Sequence, residues 1–228
     1  GLGDVYKRQT LGEADFIAAE DTRVTMGLLN RFGLHKPLIS YFEHNKLSRE
    51  GTIIARLRAG ETCALVSDAG MPAISDPGET LVAACAREDI PVYVVPGPTA
   101  AISALAVSGL PTGRFTFEGF LSVNKRSRRR HLEQVEGETR TMVFYEAPHK
   151  LRRTLSDFEK LFGGDRRIAV VRELTKVHEE VWRTTLGEAA AHYREREPRG
   201  EYVLVIAGAE ESGNEETAYT LEEAVDMA

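Results

Sequence analysis

Two stretches of small and polar residues combine the residue types that could bind a nucleotide-like ligand. LVSDAGMPAISDPG at 65–78 and VVPGPTAAISALAVSGLP at 94–111 each begin with an apolar run, break into Gly and Pro, and lead into a helical pattern. In an open α/β sheet a ligand binds beyond the carboxyl ends of the strands, where helix N-termini offer unpaired N–H groups. The two junctions therefore predict one ligand cleft.

Individual polar residues in these stretches have both a ligand-binding and a structural interpretation. Asp68 follows a predicted strand, so its carboxylate could accept hydrogen bonds from ribose hydroxyls or bind a cationic group, with Gly70 leaving room beside it. In the Pro-Gly-Pro-Thr loop, the Thr99 hydroxyl and the small Ala100 favour a ligand contact. Turn formation would also explain both loops. Asp76 is interpreted as a helix N-cap.

A second group of candidate residues follows two other predicted strands. Glu20-Asp21-Thr22-Arg23 comes directly after one apolar run, and His44-Asn45-Lys46 follows the next. Acid, base and amide groups at adjacent strand ends could form a catalytic or substrate-holding cluster. A solvated loop with an Asp-Arg pair explains the same residues equally well.

The charge of the chain is uneven. Its 228 residues carry a net charge of -6, which argues against an overall basic nucleic-acid binder. The run KRSRRR, Lys125 to Arg130, nevertheless places five cations in six residues at a predicted helix start. Cations there oppose the helix dipole, which favours an external anion such as RNA phosphate over the alternative of a solvated face.

Several classes of protein are excluded by missing motifs. The sequence has no GxxxxGK[ST], HExxH or GxSxG motif and no protein-kinase signature. Cys63 and Cys85 lack CxxC spacing, so both are predicted core residues, and no metal site or disulfide is expected. Without a run of eighteen apolar residues or a signal peptide, the chain is expected in the cytoplasm.

Strand and helix patterns alternate along the chain and predict an α/β fold with wound parallel or mixed sheets. One predicted helix spans 76–88, with Asp76 as N-cap and Pro77 in the first turn. Another begins at Pro148 and stops at Gly163-Gly164. The predicted strands are 16–19, 38–42, 62–66, 91–95, 114–120, 141–145, 168–172, 181–185 and 202–206.

The linker-like SGLPTG at 108–113 places a predicted domain boundary near residue 112. We expect an N-terminal α/β domain over 1–112 and a C-terminal α/β domain over 113–209. A polar linker and the start of a truncated helix should follow at 210–228. The opening GLGDVYKRQ offers no strand, so the first strand of the sheet is expected to be missing, with these residues a foreign tail or the edge of a fragment.

Seven sequence blocks carry a resemblance to a known family. The blocks are EADFIAAEDTR, SDAGMPAISDPG, PGPTAAISALAVSGLP, FEGFL, VFYEAPHKL, RRIAVVRELTKVHEEVWRTTL and GEYVLVIAG. In order and spacing they are similar to the ribosomal RNA small subunit methyltransferase I family, within the tetrapyrrole methylase superfamily, from Glu13 to Gly208. That family normally begins with a strand ending in a Pro-Ile-Gly-Asn-Leu-Gly-Asp type loop, of which Leu2-Gly3-Asp4 is present.

The resemblance implies two α/β domains of the tetrapyrrole methylase type, with S-adenosylmethionine bound in a cleft between them, and a homodimer. It implies methylation of the ribose 2′-hydroxyl of a cytidine in the decoding region of 16S rRNA. A small-molecule tetrapyrrole or precorrin methylase and a catalytically silent cofactor- and RNA-binding module are the alternatives. The cofactor-binding residues that the resemblance implies are Asp68, Met71, Thr99, Ala100, Tyr145 and Arg172.

This reaction requires mainly that the protein aligns the methyl donor with the acceptor hydroxyl. A sulfonium methyl is already activated, and alignment alone can supply roughly 7 to 11 kcal/mol of the barrier. A ribose hydroxyl is a weak nucleophile, so a base should help. The catalytic candidates are Glu20, Asp21, Arg23, Glu146, His149 and Glu173. The candidate RNA-binding residues are Lys125, Arg126, Arg128, Arg129, Arg130, Lys150 and Lys176.

Overall fold

The computed structural model describes residues 2–67 and 70–210. The chain divides into two compact units, Gly1–Ser103 and Ala104–Ala228, called unit 1 and unit 2 below. The division falls inside a helix, α5 (Ala100–Val107). The boundary near residue 112 stays a prediction. The linker and truncated helix predicted over 210–228 lie, apart from Glu210, outside the described residues.

Unit 1 is built on three parallel strands in the order β2-β1-β3. The central strand is fully buried because its alternate residues face two different cores. Phe16 and Ala18 pack with Ile53, whereas Ile17 and Ala19 pack with Leu29. Helices cover both faces, as a parallel sheet requires. The elements are α1 (Leu2–Glu13), β1 (Phe16–Ala19), α2 (Thr22–Phe32), β2 (Leu38–Ser40), α3 (Lys46–Arg58), β3 (Cys63–Val66) and α4 (Glu79–Arg87).

Unit 2 contains a five-stranded mixed sheet in the order β4-β5-β8-β6-β7. Strand β4 is parallel to β5, and the other neighbours are antiparallel. The i, i+4, i+7 spacing of Leu151, Leu155 and Phe158 gives α7 one apolar stripe, which packs into the sheet core. The elements are β4 (Phe115–Phe120), α6 (Lys125–Val135), β5 (Thr141–Glu146), α7 (Pro148–Phe162), β6 (Arg167–Arg172), β7 (Glu180–Thr185), α8 (Leu186–Glu195) and β8 (Tyr202–Ile206).

The predicted α/β fold class is confirmed, and eight of the nine predicted strands form within two residues of their predicted bounds. The strand predicted at 91–95 is wrong. These residues pair with no strand in the described part of the chain, and Val92, Tyr93 and Val94 are 52%, 88% and 67% exposed. A β-branched run becomes a strand only where a neighbouring backbone pairs with it.

The predicted start of α4 is also wrong. The helix begins at Glu79 behind Gly78, and Asp76 instead accepts a hydrogen bond from the Ser67 hydroxyl at 2.6 Å. The helix predicted from Pro148 to Gly163 is confirmed, with Pro148 in its first turn and Gly163 as C-cap. Residues 2–13, where the sequence offered no strand, form α1.

Cys63 and Cys85 are core residues, as predicted. Cys85 is buried between α4 and the sheet, and Cys63 packs against the same cluster. Both are free thiols. Burial raises the pKa of Cys63 to about 11 and also raises the pKa of Cys85. Within the described residues, no helix has the length and apolar character needed to cross a membrane.

Candidate active site

The loop after β3 contains several residues in the left-handed region of backbone conformation. Gly70, Ala73, Ser75 and Gly78 all have positive φ, with Gly78 at 139°. A Cβ at Gly78 would lie 2.7 Å from Leu65 Cδ2, so glycine is required where the loop returns beneath the strand. A Cβ at Gly70 would lie 4.0 Å from the carbonyl oxygen of Pro98. The loops of the two small-residue stretches are therefore neighbours within unit 1.

A cleft of about 410 Å³ lies where the loops that follow the three parallel strands meet. Its lining has more carboxylates than cations, and Lys46 Nζ lies 2.7 Å from Glu43 Oε1. This pairing raises the pKa of Lys46. The lining suits a ligand with positive charge. The lining residues are Glu20, Glu43, Lys46, Ser75, Asp76, Pro77, Gly78, Glu79 and Thr80.

The Glu20–Arg23 segment divides into a cleft residue and a helix cap. Glu20 lines the cleft, whereas Asp21 caps α2 by accepting a hydrogen bond from Arg23 N at 2.8 Å. The Arg23 guanidinium also donates to Asp21, with Nη2 at 2.8 Å from Oδ2. The Arg23 side chain, together with its backbone N–H, lowers the pKa of Asp21 to about 2.

The segment from His44 to Lys46 also has separate roles. Asn45 closes the turn after β2, because its Oδ1 accepts from Phe42 N at 2.8 Å and its Nδ2 donates to Ser40 O at 3.0 Å. Lys46 lines the cleft with Glu20. Glu20 and Lys46 are thus the members of the two predicted clusters that the structure brings together.

The predicted cofactor residues of unit 1 lie in the two neighbouring loops. Thr99 precedes α5, and its hydroxyl accepts a hydrogen bond from Ile102 N at 3.3 Å, which leaves Ala100 as the first helical residue. Met71 is half-buried directly after Gly70. Asp68 lies outside the described residues.

The predicted cofactor residues of unit 2 are Tyr145 and Arg172. Tyr145, on β5, contacts the rings of Phe117 and Phe120, with ring centroids 5.1 and 5.5 Å away. Arg172, at the end of β6, has its Nε 3.1 Å from Glu180 Oε2 on β7. Both are half-buried, Tyr145 near the end of β5 and Arg172 at the end of β6, and β8 lies between these two strands.

Two predicted catalytic carboxylates of unit 2 hold the backbone in place. Glu146 is 2% exposed and accepts hydrogen bonds from Ala147 N and the Thr154 hydroxyl. Glu173 has a φ of 51° and accepts from Glu201 N at 2.9 Å and Lys176 Nζ at 3.0 Å. The Glu201 N–H, followed by Lys176, lowers the pKa of Glu173.

The other polar candidates of unit 2 differ in exposure. His149 is exposed in the first turn of α7, and Lys150 beside it is half-buried. Lys176 bridges Glu173 and Glu201, with Nζ–O distances of 3.0 and 2.9 Å. Lys176 therefore connects the loop between β6 and β7 to the segment that precedes β8.

The structure corrects the prediction that Arg128 is one of the RNA-binding cations. It is 4% exposed, and its guanidinium contacts Asp157 and Thr154 on α7. Sequence reasoning missed these two partners. Their i, i+3 spacing on an amphipathic helix was the available signal, because it places both on one face. The exposed cations of the run are Lys125, Arg126, Arg129 and Arg130.

Comparison with known proteins identifies the family. The model for tetrapyrrole (corrin/porphyrin) methylases matches residues 7–190. The ribosomal RNA small subunit methyltransferase I of Synechocystis sp. is 52% identical over 210 residues, which cover 91% of this chain and 75% of that protein. The chain belongs to this methyltransferase family. The ribosomal RNA small subunit methyltransferase I of Thermotoga maritima is 48% identical, over a match that covers 89% of this chain and 90% of that protein.

A solved structure shows the same fold at lower identity. Uroporphyrin-III C-methyltransferase from Thermus thermophilus, crystallised with S-adenosylhomocysteine, superposes with a TM-score of 0.58. It is 21% identical, and the match covers 89% of this chain and 90% of that one. The predicted tetrapyrrole methylase fold and the predicted methyltransferase class are thus confirmed.

Proposed function

We propose that this protein transfers the methyl group of S-adenosylmethionine to the ribose 2′-hydroxyl of a cytidine in the decoding region of 16S rRNA. The observation that carries the proposal is 52% identity, over 91% of the chain, to a protein named for methylation of small-subunit ribosomal RNA. The methyltransferase of the same fold that was crystallised with S-adenosylhomocysteine supports the choice of methyl donor. We place this activity in the cytoplasm.

The cleft of unit 1 fits the charge of this methyl donor. S-Adenosylmethionine carries a sulfonium and an ammonium against one carboxylate, and the cleft lining has four carboxylates beside Lys46. Met71, Thr99 and Ala100 in the neighbouring loops would hold it, with Asp68 and, from unit 2, Tyr145 and Arg172 as further predicted contacts. When bound, the donor supplies an activated methyl carbon, so the chain contributes mainly alignment.

The geometry narrows the choice of base. A base works best when its pKa lies near the working pH, so Asp21, with a pKa of about 2, is a poor proton acceptor. Glu146 and Glu173 hold backbone groups. We propose that Glu20, which lines the cleft, accepts the proton of the 2′-hydroxyl, with the exposed His149 as the second candidate.

The activity is tested by incubating the protein with methyl-labelled S-adenosylmethionine and three substrates: 30S subunits, naked 16S rRNA and a precorrin. We expect label in one of the RNA substrates, recovered after digestion as 2′-O-methylcytidine. Label in the precorrin alone would contradict the proposal and support a small-molecule methylase. Donor binding without transfer to any substrate would support a silent binding module.

The base is tested with Glu20→Gln and His149→Asn in single-turnover assays. Loss of a general base lowers the rate by about 10²- to 10⁴-fold, so we expect this loss for Glu20→Gln when the donor is saturating. Glu195→Gln, an exposed change on α8, is the matched control. The full loss in His149→Asn alone would move the assignment to His149. The homodimer stays a prediction that light scattering would test.

A further inference from the structure

Helix α6 has two faces of opposite character. At 100° per residue, four of its cations fall within an arc of roughly 140°, and the residues that pack inward occupy the other side. The inward residues are Arg128, His131, Leu132 and Val135. The four cations, all exposed, are Lys125, Arg126, Arg129 and Arg130, called the α6 cationic face below.

This face lies at a helix start, where positive charge is unfavourable. Asn124 caps the helix by accepting hydrogen bonds from Arg126 N and Ser127 N, at 3.0 and 3.1 Å, and no acidic residue occupies the first turn. Lys125, Arg126 and Arg130 have no ion-pair partner among the described residues. Arg129 pairs with the exposed Glu133 at 2.8 Å. The positive charge near the helix dipole is therefore largely uncompensated within the described chain.

Arg128 links α6 to a buried chain of polar groups. Its Nε donates to Asp157 Oδ2 at 2.9 Å, and its Nη2 donates to Thr154 Oγ1 at 2.9 Å. The Thr154 hydroxyl donates in turn to Glu146, whose other oxygen accepts from Ala147 N at 2.9 Å. This series of hydrogen bonds thus connects α6, through α7, to the end of β5. A planar guanidinium can bridge two such acceptors, whereas an ammonium is a point charge.

We propose that the α6 cationic face binds RNA phosphates and that Arg128 is a positioning residue, which fixes this face through Asp157, Thr154 and Glu146. The proposal rests on the proposed function, because rRNA is the polyanion concerned. A buried ion pair often adds little net stability, and in some proteins its role is to fix the register of the elements that it joins. Arg128 therefore sets the rotation of α6, so that the four exposed cations meet the RNA together.

The cationic face is tested with the triple variant K125A/R126A/R130A. Binding to an in vitro transcribed RNA of the 16S decoding region is measured by anisotropy over a salt series. Each phosphate contact on single-stranded RNA contributes about 0.7 to the slope of log K against log salt, so the magnitude of the slope should fall by about 2. The matched control, R31A/R49A/R87A, removes three exposed cations from α2, α3 and α4. An equal fall in the control, or no fall in the triple variant, would overturn the proposal.

The positioning role is tested with T154V and D157N, which remove no cation. We expect RNA affinity to fall at least fivefold in both, at temperatures where both are folded. D157N is the sharper test, because one negative charge fewer should strengthen RNA binding if net charge alone mattered. R128K should not restore the affinity that R128M loses, since an ammonium lacks the rigid, planar set of donors with which the guanidinium contacts Thr154 and Asp157.

Other outcomes would contradict the positioning role. A lower Tm with unchanged RNA affinity and salt slope in T154V and D157N would make the chain of polar groups purely structural. A slope reduced by about 0.7 in R128M, with no effect of T154V, would make Arg128 a direct phosphate contact. Binding of S-adenosylmethionine, measured by calorimetry, should stay within twofold in every variant.

The methyl-transfer assay separates this inference from the proposed function. If the unmodified chain binds RNA with the expected salt dependence but methylates none, the proposed function is wrong, whereas RNA binding by the α6 cationic face is still supported. If the unmodified chain methylates RNA and the triple variant keeps the full salt slope, the proposed function is supported, whereas RNA binding by the α6 cationic face is contradicted.

Discussion

The two units differ in where their candidate functional residues lie. In unit 1, three parallel strands end in loops with left-handed backbone at Gly70, Ala73, Ser75 and Gly78, and an acid-lined cleft opens among them. In unit 2, Glu146 and Glu173 are engaged in holding backbone groups. The exposed cationic run of unit 2 lies instead on helix α6. Strand-end position alone therefore does not identify a candidate reactive carboxylate, which must also line a cleft.

The two units also differ in their cores. In unit 1, the described apolar residues that pack on the two faces of β1 form one small cluster on each face. Unit 2 gathers a large cluster on one face of its sheet, with Phe158 between Phe144 and Phe162 at centroid distances of 4.8 and 5.5 Å. We infer that core substitutions in unit 2 affect stability most and that loop substitutions in unit 1 affect the site most.

The largest effect is expected for Phe158→Ala. Removing a fully buried aromatic side chain costs about 3 to 5 kcal/mol of the free energy of unfolding, because a cavity remains. Urea unfolding measures the loss, and hydrogen exchange should show reduced protection in β5, β6 and β8. Leu47→Ala, at an exposed position, should change stability by less than about 0.5 kcal/mol. Similar losses in the two variants would contradict the core assignment.

A smaller effect is expected for Gly78→Ala in the loop of unit 1. Its Cβ would meet Leu65 Cδ2 at a backbone φ of 139°, so we expect a loss of about 1 to 3 kcal/mol together with weaker binding of the methyl donor. Gly51→Ala is the matched control, because Gly51 lies within α3 with nothing within 4 Å of an added Cβ. That change should stabilise the helix by about 0.5 to 1 kcal/mol. Unaltered donor affinity in Gly78→Ala would separate this loop from the cofactor site.

The smallest effect concerns the pH dependence that Asp21 gives to unit 1. Its folded pKa of about 2 lies below the ordinary 3.8, so its contribution to stability is present above about pH 4 and is lost as the pH falls towards 2. Asp21→Ala should therefore lower the Tm at pH 6 and differ little from the unmodified protein at pH 2. Arg23→Ala should flatten the same pH profile. A Tm difference that persists undiminished at pH 2 would contradict this account.

Much of the fold could be predicted from the sequence because the signals are local. Apolar runs gave eight strands, and Pro148 and Gly163 bracket α7. The failure at 91–95 has a nonlocal cause, because a strand needs a partner that composition does not reveal. The prediction that Asp76 caps α4 was wrong because the Ser67 hydroxyl donates to that carboxylate and Gly78 is the N-cap residue instead.

The candidate site was less predictable than the fold. Residue types identified Glu20 and Lys46 in the cleft and the exposed cations of α6. The same reasoning treated Arg128 as equivalent to its neighbours, because a charge run does not show which member turns inward. It also could not distinguish Glu20 from Glu146, since only folding places Glu20 on the cleft and leaves Glu146 2% exposed.

The two core cysteines have thiols of low reactivity, which makes the chain convenient for attaching a probe. Maleimides react with thiolate, and the raised pKa values of Cys63 and Cys85 keep both thiols protonated near neutral pH. A cysteine placed at Val177, which is 96% exposed between β6 and β7, would therefore be modified first. A single fluorophore could thus report RNA arrival at unit 2 without prior removal of the native cysteines.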